Sequence, residues 1–280
     1  MTTGAVVITG VSTGIGLGCA RAFVSRGYRV YGSVRKAEDG ERVAAELGDG
    51  FRPVVFDITD EDAVVDAARW VERDLGGLPL LGVVNNAGIA TSGPLMIQPL
   101  DEIRQQFEVN VIGQLVVTRA FLPLLQAAPS ARIMMMSSVG GKVSGPFLGA
   151  YSASKHALEG MSDALRRELM LFDIDVIVIG PGTVASAIWD KPSANDVDGV
   201  VGTPYEASAK AMQVFAVTRG KNGESIDRFG RMVLGAFEAR RPKARYAFVK
   251  GKLKNWILPR VLPPRWVDRI IGKRFGLSAS

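Results

Sequence analysis

Short apolar runs alternate with amphipathic stretches along most of the chain, and this alternation limits the possible folds more than any other feature. Strand–helix–strand repeats require right-handed crossovers, which produce a parallel sheet covered by helices on both faces. We therefore predict one α/β domain with a Rossmann-like, doubly wound parallel sheet of about seven strands. The predicted strands are Ala5–Thr9, Arg29–Val34, Pro53–Phe56, Leu80–Val84, Arg132–Met136, Asp175–Ile179 and Arg245–Val249, and the predicted helices include Ile15–Ser25, Glu61–Leu75 and His156–Leu171.

Polar residues and glycines directly follow several of these strands. Ligands of open parallel sheets bind beyond the carboxyl ends of the strands, so we expect these residues to surround a binding site. They are Gly10, Asn85, Asn86, Ser137, Ser138, Gly180 and Gly182.

The segment TGVSTGIG, Thr9–Gly16, lies between the first predicted strand and the first predicted helix. Glycines allow a tight turn and a close approach of backbone to phosphate. The following helix presents free N–H groups and the positive end of its dipole to an anion. The segment therefore predicts a dinucleotide phosphate site formed by Gly10, Ser12, Thr13, Gly14, Ile15 and Gly16.

The same segment also matches the nucleophile elbow of a serine hydrolase, G-x-S-x-G, at Gly10–Gly14. A serine hydrolase needs a histidine base, and the only histidine is His156, inside a predicted helix beside Lys155. We therefore rank the hydrolase far below a dinucleotide-binding protein.

The second predicted strand is followed by Arg35. Proteins that bind NAD usually carry an acid near this point, which accepts hydrogen bonds from the adenosine ribose. A guanidinium pairs with a 2′-phosphate, which an acid would repel. Arg35 therefore predicts NADP over NAD as the cofactor, with NAD still accepted, unless Arg35 is only a solvated surface charge.

Tyr151 and Lys155 are four residues apart, which places them on one face of a helix. A free tyrosine has a pKa near 10 and is a poor base at neutral pH. A nearby ammonium favours the tyrosinate and lowers that pKa toward the working range of a proton-transfer catalyst. Taken alone, however, this spacing is usually a surface pair.

These motifs occur together and in one order, and in this the sequence resembles the short-chain dehydrogenase/reductase family. That family transfers a hydride between NAD(P) and a carbonyl or alcohol carbon, on the doubly wound fold predicted above. The resemblance spans about the first 190 residues and rests on TGVSTGIG at Thr9–Gly16, Asp57, NNAG at Asn85–Gly88, Asn110, Ser138, YSASK at Tyr151–Lys155 and Pro181-Gly182.

The resemblance implies a catalytic role for four residues. Ser138 would hydrogen-bond the substrate oxygen, although Ser137 competes for this assignment, and Tyr151 would exchange the proton on that oxygen. Lys155 would lower the tyrosine pKa and bind the nicotinamide ribose. Asn110 would hold a water of the proton relay, or would simply tie its helix to a loop.

The resemblance also implies cofactor contacts beyond the glycine-rich segment. Asp57 and Ile58 would contact adenine, and Tyr151 and Lys155 would contact the cofactor as well as the substrate. Ser186 stands where the family often has threonine, so its hydroxyl could still reach the cofactor. The other expected cofactor residues are Asn86, Ala87, Gly88, Pro181, Gly182 and Val184, and no metal site is expected.

Several stretches resemble the subgroup of 17β-hydroxysteroid and retinol dehydrogenases. They favour a hydrophobic secondary alcohol and ketone, or a primary alcohol and aldehyde, as the small-molecule substrate. We expect a substrate lid at about residues 184–205, within a catalytic domain at 1–239. Candidate residues lining the substrate pocket are Met96, Phe147, Leu148 and Trp189, although core packing explains them equally well.

Residues 240–280 form a basic extension, with twelve Lys or Arg and one acid, Asp268, within an overall net charge of +6. Its mixture of aromatic, aliphatic and cationic residues fits peripheral contact with a membrane. It equally fits a docked segment that completes the same domain, either over the substrate pocket or against another subunit. No base-reading motif accompanies the charge, so we expect no nucleic-acid partner.

Composition and termini favour the cytoplasm, with membrane association through the extension as an alternative. Cys19 is the only cysteine, so no internal disulfide can form, and we expect it to be a buried apolar residue. The N-terminus lacks the features of a secretion signal, and no long uncharged apolar run suggests a spanning helix. Family members commonly form dimers or tetramers, which implies a homo-oligomer. A non-catalytic NADP-binding regulator is the main functional alternative.

Overall fold

The computed structural model describes residues 4–185, 198–221 and 223–277. Its centre is one seven-stranded sheet in which all strands are parallel and the order is β3-β2-β1-β4-β5-β6-β7. The predicted Rossmann-like single domain is therefore confirmed. The strands are β1 Ala5–Ile8, β2 Arg29–Val34, β3 Phe51–Val55, β4 Leu80–Asn85, β5 Ala131–Met136, β6 Ile174–Pro181 and β7 Arg245–Phe248.

Ten α-helices are formed by the described residues, several of them extended by short 3₁₀ or π turns. The helix between β5 and β6 begins at Gly149, seven residues before the predicted start at His156. The helices are α1 Gly14–Ser25, α2 Ala37–Leu47, α3 Glu61–Leu75, α4 Leu100–Phe107, α5 Gly113–Gln126, α6 Gly149–Glu168, α7 Glu206–Lys221, α8 Ile226–Glu238, α9 Leu258–Val261 and α10 Pro264–Phe275.

The helix α3 shows how local sequence sets these boundaries. The Asp60 carboxylate caps its N-terminus by accepting a hydrogen bond of 3.0 Å from the backbone N–H of Ala63. The chain leaves the helix at Gly76, whose φ of +55° is left-handed and favours glycine. The predicted bounds of this helix are therefore the observed ones.

Successive residues of each central strand point to opposite faces of the sheet, and each face has its own core. Val7 of β1 is buried beneath α3, α5 and α6. Its neighbours Val6 and Ile8 are buried beneath α1, α2 and α8. Cys19 of α1 belongs to this second core, and burial raises the pKa of its thiol to about 12. The thiol is therefore protonated and inert at neutral pH.

One segment, Leu100–Gln126, is long and apolar enough to cross a membrane by length and composition. It comprises α4, a π turn and α5. Val117, Phe121 and Leu125 are fully buried in the core beneath the sheet. Packing inside the domain thus accounts for part of the apolar character of this segment, of whose most apolar window 39% is buried.

Two glycines allow α1 and α8 to touch backbone to backbone. A Cβ added to Gly230 would lie 2.0 Å from the carbonyl oxygen of Gly18. A Cβ added to Gly18 would lie 2.2 Å from the carbonyl oxygen of Ile226. These distances are far below van der Waals contact, so the approach of the two helices requires glycine. This contact fixes α8 on α1, next to the glycine-rich segment.

Gly230→Ala is therefore expected to lower the free energy of unfolding by about 1–3 kcal/mol, because the helices must separate. Gly235→Ala is the matched control on the same helix, since its added Cβ meets nothing within 4 Å. The control is expected to leave stability unchanged or raise it by about 0.5–1 kcal/mol. Urea unfolding measures both variants, and equal effects would refute the proposed contact.

Candidate active site

Hydrogen bonds fasten the loop after β1 to the loop after β4. The Thr9 hydroxyl accepts hydrogen bonds of 2.9 Å from the backbone N–H groups of Asn86 and Ala87. The side-chain amide of Asn86 donates to the carbonyl oxygens of Thr9 and Gly10, at 2.9 and 3.1 Å. The carboxyl ends of two neighbouring strands are thus held as one edge, where a ligand of this fold would bind.

The glycine-rich segment makes its turn through positions that only glycine tolerates well. Gly10 has a φ of +70° and lies so close to Ala87 that a Cβ would be 2.9 Å from its Cα. Gly16 lies beneath the turn, where a Cβ would be 2.1 Å from the carbonyl oxygen of Gly10. Gly16 does not border the cavity, so its part in the predicted cofactor site is to allow the turn.

The first turn of α1 opens onto the cavity. Its N-cap residue, Thr13, has extended backbone and makes no side-chain capping hydrogen bond. The N–H groups of this turn are therefore uncapped by a side chain, as a phosphate site requires. The bordering residues here are Gly10, Ser12, Thr13, Gly14 and Ile15.

The next wall of the cavity follows β2 and β3. Arg35, the residue predicted to bind a 2′-phosphate, is exposed and borders the cavity. Asp57 and Ile58 border it as well. The Asp57 carboxylate accepts hydrogen bonds from the N–H and hydroxyl of Thr59, at 3.0 and 2.8 Å, which fixes this loop.

Ser138 and Tyr151 meet at the end of β5. The Ser138 hydroxyl accepts a hydrogen bond of 3.0 Å from the N–H of Gly140 and also hydrogen-bonds the Tyr151 phenol. Ser137 instead points to the other side and donates to the Glu159 carboxylate at 2.6 Å. The structure thus pairs Ser138, rather than Ser137, with the tyrosine.

Lys155 lies one turn along α6 from Tyr151. Its Nζ donates a hydrogen bond of 2.8 Å to the carbonyl oxygen of Met136 and lies 5.9 Å from the centre of the Tyr151 ring. Burial lowers the pKa of the Lys155 ammonium to about 8, against an opposing effect of Glu159. Small changes in its surroundings can therefore change the protonation of Lys155 near physiological pH.

Burial has the largest effect on the pKa of the Tyr151 phenol. Burial raises the pKa of Tyr151, and the hydrogen bond with Ser138 opposes that rise. The lowering of this pKa by Lys155, expected from the sequence, stays a prediction. A protonated phenol hydrogen-bonded to a serine is suited to donating a proton to a substrate oxygen.

Asn110 is completely buried in a π turn, Glu108–Ile112. Its side-chain amide exchanges two hydrogen bonds of 2.9 Å with the backbone of Ile89 and donates to the Ser154 hydroxyl at 3.1 Å. Asn110 therefore ties the loop after β4 to α6, as the alternative to the water relay predicts. It does not border the cavity, and its predicted part in a water relay stays a prediction.

A buried ionic network lies behind the catalytic residues, and our reading of the sequence did not identify it. The Glu159 carboxylate accepts hydrogen bonds from Ser137 and Arg245 and lies 3.2 Å from the Lys142 ammonium. Burial alone would raise the pKa of Glu159, but the hydrogen bonds from Arg245 and Ser137, with the charges of Arg245 and Lys142, hold it below its usual value. The spacing of Glu159, four residues after Lys155, was the available signal.

One cavity of about 1050 Å³ joins these features. It runs from the glycine-rich segment past Tyr151 to the C-terminal extension. Gly16 and Asn110 lie outside its lining, and Ser186 lies outside the described residues. The predicted site residues that border it are Gly10, Ser12, Thr13, Gly14, Ile15, Arg35, Asp57, Ile58, Asn86, Ala87, Gly88, Ser138, Tyr151, Lys155, Pro181, Gly182 and Val184.

The expected substrate-lining residues are only partly found. Leu148 borders the cavity, whereas Met96 is 82% exposed and lies outside it. Phe147 also lies outside it, because its ring packs edge-on against Tyr205 at 6.3 Å. Trp189 and most of the expected lid fall in residues 186–197, outside the described part of the chain.

The C-terminal extension closes one side of the cavity. Apolar residues of α9 and α10, among them Leu258, Val267 and Ile271, border it. The helix α10 packs on α7, where Phe275 and Phe215 meet edge to face at 5.4 Å. In the structure the extension therefore lies over the cavity, and its contact with a membrane or with another subunit stays a prediction.

Comparison with known proteins places this site in a family. Residues 4–197 match the model of the short chain dehydrogenase family. The chain is 38% identical over 278 residues to the NADPH-dependent 3-dehydrocapnine reductase of Ornithobacterium rhinotracheale, covering 95% of each chain. It is 35% identical over 217 residues to retinol dehydrogenase 16 of Mus musculus, covering 72% of this chain and 68% of the relative.

A solved structure agrees with these relatives. A short-chain dehydrogenase from Streptomyces avermitilis superposes with a TM-score of 0.77 at 26% identity, covering 98% of this chain and 95% of the other. The fold and site define a dinucleotide-dependent oxidoreductase with a tyrosine–lysine pair. The chain belongs to the short-chain dehydrogenase/reductase family and is an NAD(P)-dependent oxidoreductase acting on CH–OH groups.

Proposed function

We propose that the chain interconverts a hydrophobic secondary alcohol and ketone, or a primary alcohol and aldehyde, with NADP(H) as the preferred cofactor. One observation carries this proposal. The Tyr151–Ser138 pair and buried Lys155 border the same cavity as the uncapped start of α1 and the apolar wall of the extension. One cavity is thus bordered by phosphate-binding groups, proton-transfer groups and an apolar wall.

The residues divide the reaction between them as follows. Ser138 donates a hydrogen bond to the substrate carbonyl oxygen and orients it toward the phenol. Tyr151 then donates its proton to that oxygen as negative charge develops there, and in the reverse direction it accepts that proton. Lys155 binds the nicotinamide ribose and stabilises the tyrosinate that remains. The reduced cofactor, when bound, supplies the hydride.

The preference for NADP(H) rests on Arg35. Its guanidinium borders the cavity at the end of β2, where the adenosine ribose of a bound dinucleotide is expected. The 38% identical relative from Ornithobacterium rhinotracheale is likewise an NADPH-dependent reductase. NAD(H) remains a second, weaker cofactor in this proposal.

The remaining assignments are part of the same proposal. Residues 1–239 form the catalytic domain with a lid at about 184–205, and 240–280 complete that domain as the basic extension. The site takes a small hydrophobic molecule, the protein assembles as a homo-oligomer, and it is cytoplasmic. Peripheral membrane contact through the extension is an alternative, which sedimentation with liposomes of the full chain would test.

Tyr151→Phe is expected to lower kcat for carbonyl reduction by about 10²–10⁴-fold, because the proton donor is lost. Binding of NADPH, measured by nucleotide fluorescence, is expected to stay within about twofold, since the ring remains. Tyr31→Phe is the matched control, because its phenol donates to Asp74 at 2.8 Å and does not border the cavity. A kcat retained in Tyr151→Phe would refute the role of Tyr151, whereas failure of the unsubstituted protein to oxidise NADPH with any of a broad panel of carbonyl compounds would favour a non-catalytic NADP-binding regulator.

Arg35→Leu is expected to weaken NADPH binding about tenfold or more, because a charge-assisted pair with the 2′-phosphate is lost. NADH binding is expected to stay nearly unchanged, so the preference for NADPH over NADH, measured as the ratio of their dissociation constants, falls about tenfold or more. Arg69→Leu, an exposed arginine paired with Asp66 on α3, serves as the control for loss of charge. Tighter binding of NADH than NADPH by the original chain would contradict this role of Arg35.

A further inference from the structure

Two arginines meet on the C-terminal side of the cavity. Arg219 of α7 and Arg274 of α10 both border it. Their guanidinium carbons lie 5.2 and 4.1 Å from the centre of the Phe215 ring, so the two cations gather around one aromatic side chain. This arrangement takes no part in the reaction derived above.

No carboxylate among residues 4–185, 199–220 and 223–277 lies within 4.0 Å of either guanidinium. Both arginines are exposed at the edge of the cavity, and partial desolvation together with the neighbouring charge of Arg274 lowers the pKa of Arg219. Two like charges held together in this way disfavour one another, and an anion between them would relieve that repulsion.

The cavity wall around the two arginines is also positively charged. The cavity lining contributed by the described residues after 205 includes three cations, Arg219, Lys254 and Arg274, and no acid. The other members of this wall are mostly apolar, such as Met212, Ile270 and Ile271. An apolar surface that ends at paired guanidiniums matches an apolar chain that ends in an anion.

We propose that Arg219 and Arg274 form an anion subsite, and that the carbonyl substrate is an amphiphile with an apolar chain and an anionic group. This inference rests on the proposed function, because it places that group in the same cavity as Tyr151. The nucleotide has separate anion ligands in the start of α1 and Arg35. Carboxylate, sulfonate and phosphate groups share the required chemistry.

The test measures binding directly, by calorimetry on the full chain saturated with NADPH. The probes are decanoate and decane-1-sulfonate, with decan-1-ol as the uncharged equivalent. The two anions are expected to bind at least about tenfold more tightly than decan-1-ol. Arg219→Gln and Arg274→Gln are each expected to weaken the anions about tenfold and to change decan-1-ol by less than twofold.

Arg269→Gln is the matched control, because Arg269 is exposed on α10, as Arg274 is, but does not border the cavity. It is expected to leave all three dissociation constants unchanged. Arg219→Lys keeps the charge at the subsite should Arg219→Gln fold poorly, and it is expected to retain part of the anion affinity. Equal binding of anions and alcohol by the original chain would overturn the proposal.

Two further outcomes distinguish the anion subsite from a role in cofactor binding and from the proposed reductase activity. If Arg219→Gln weakens NADPH binding and leaves anion binding at saturating NADPH unchanged, the pair serves the cofactor and the subsite is refuted. If the arginines control anion binding while no carbonyl compound is reduced by the original chain, the subsite stands and the proposed reductase activity fails.

Discussion

The hydrogen bond from Lys155 Nζ to the carbonyl oxygen of Met136 is the contact on which the site depends, at 2.8 Å. It joins the catalytic helix α6 to the last residue of β5, just before Ser138. Because Tyr151 lies one helical turn from Lys155, this contact brings the phenol to the Ser138 hydroxyl. An ammonium is costly to bury, so its retention here is consistent with a use beyond packing.

Further hydrogen bonds hold α6 and the end of β5 in these positions. Asn110 fixes α6 to the loop after β4 through the Ser154 hydroxyl. On the far side, Glu159 gathers Ser137 and Arg245, and the Arg245 guanidinium lies 4.6 Å from the centre of the Trp256 ring. The ionic network therefore links the back of the active site to the C-terminal extension. The same extension lines the cavity, so the residues at the end of β5 and this cavity wall are supported by one network.

The sequence predicted the sheet well because its buried strands are distinct apolar runs. The apolar period alone starts α6 too late, at His156, because Gly149–Lys155 carries small and polar residues that break this period; the spacing of Tyr151 and Lys155 already indicated helix there. The sequence also does not reveal the hydrogen-bond partners of Glu159 and Asn110. Arg245 and Ile89 are distant along the chain, and only the folded sheet brings them to these side chains.

The extension shows a different limit of sequence reasoning. Its apolar and cationic residues suit both a membrane surface and a protein surface, and composition cannot choose between them. The packing of α10 on α7 uses Phe275, which is buried, while Trp266 and Ile270 stay exposed on the same helix. Which face is covered depends on the partner helix, and periodicity alone does not identify that helix.

The central claim is that Tyr151, held by α6, protonates the oxygen of a carbonyl substrate together with Ser138. A crystal structure of the chain with NADP⁺ and a bound ketone tests it most directly. We predict that the ketone oxygen lies within about 2.6–3.2 Å of both the Tyr151 phenol oxygen and the Ser138 hydroxyl oxygen. A ketone seated in an ordered, closed cavity with its oxygen out of reach of the phenol would contradict the account.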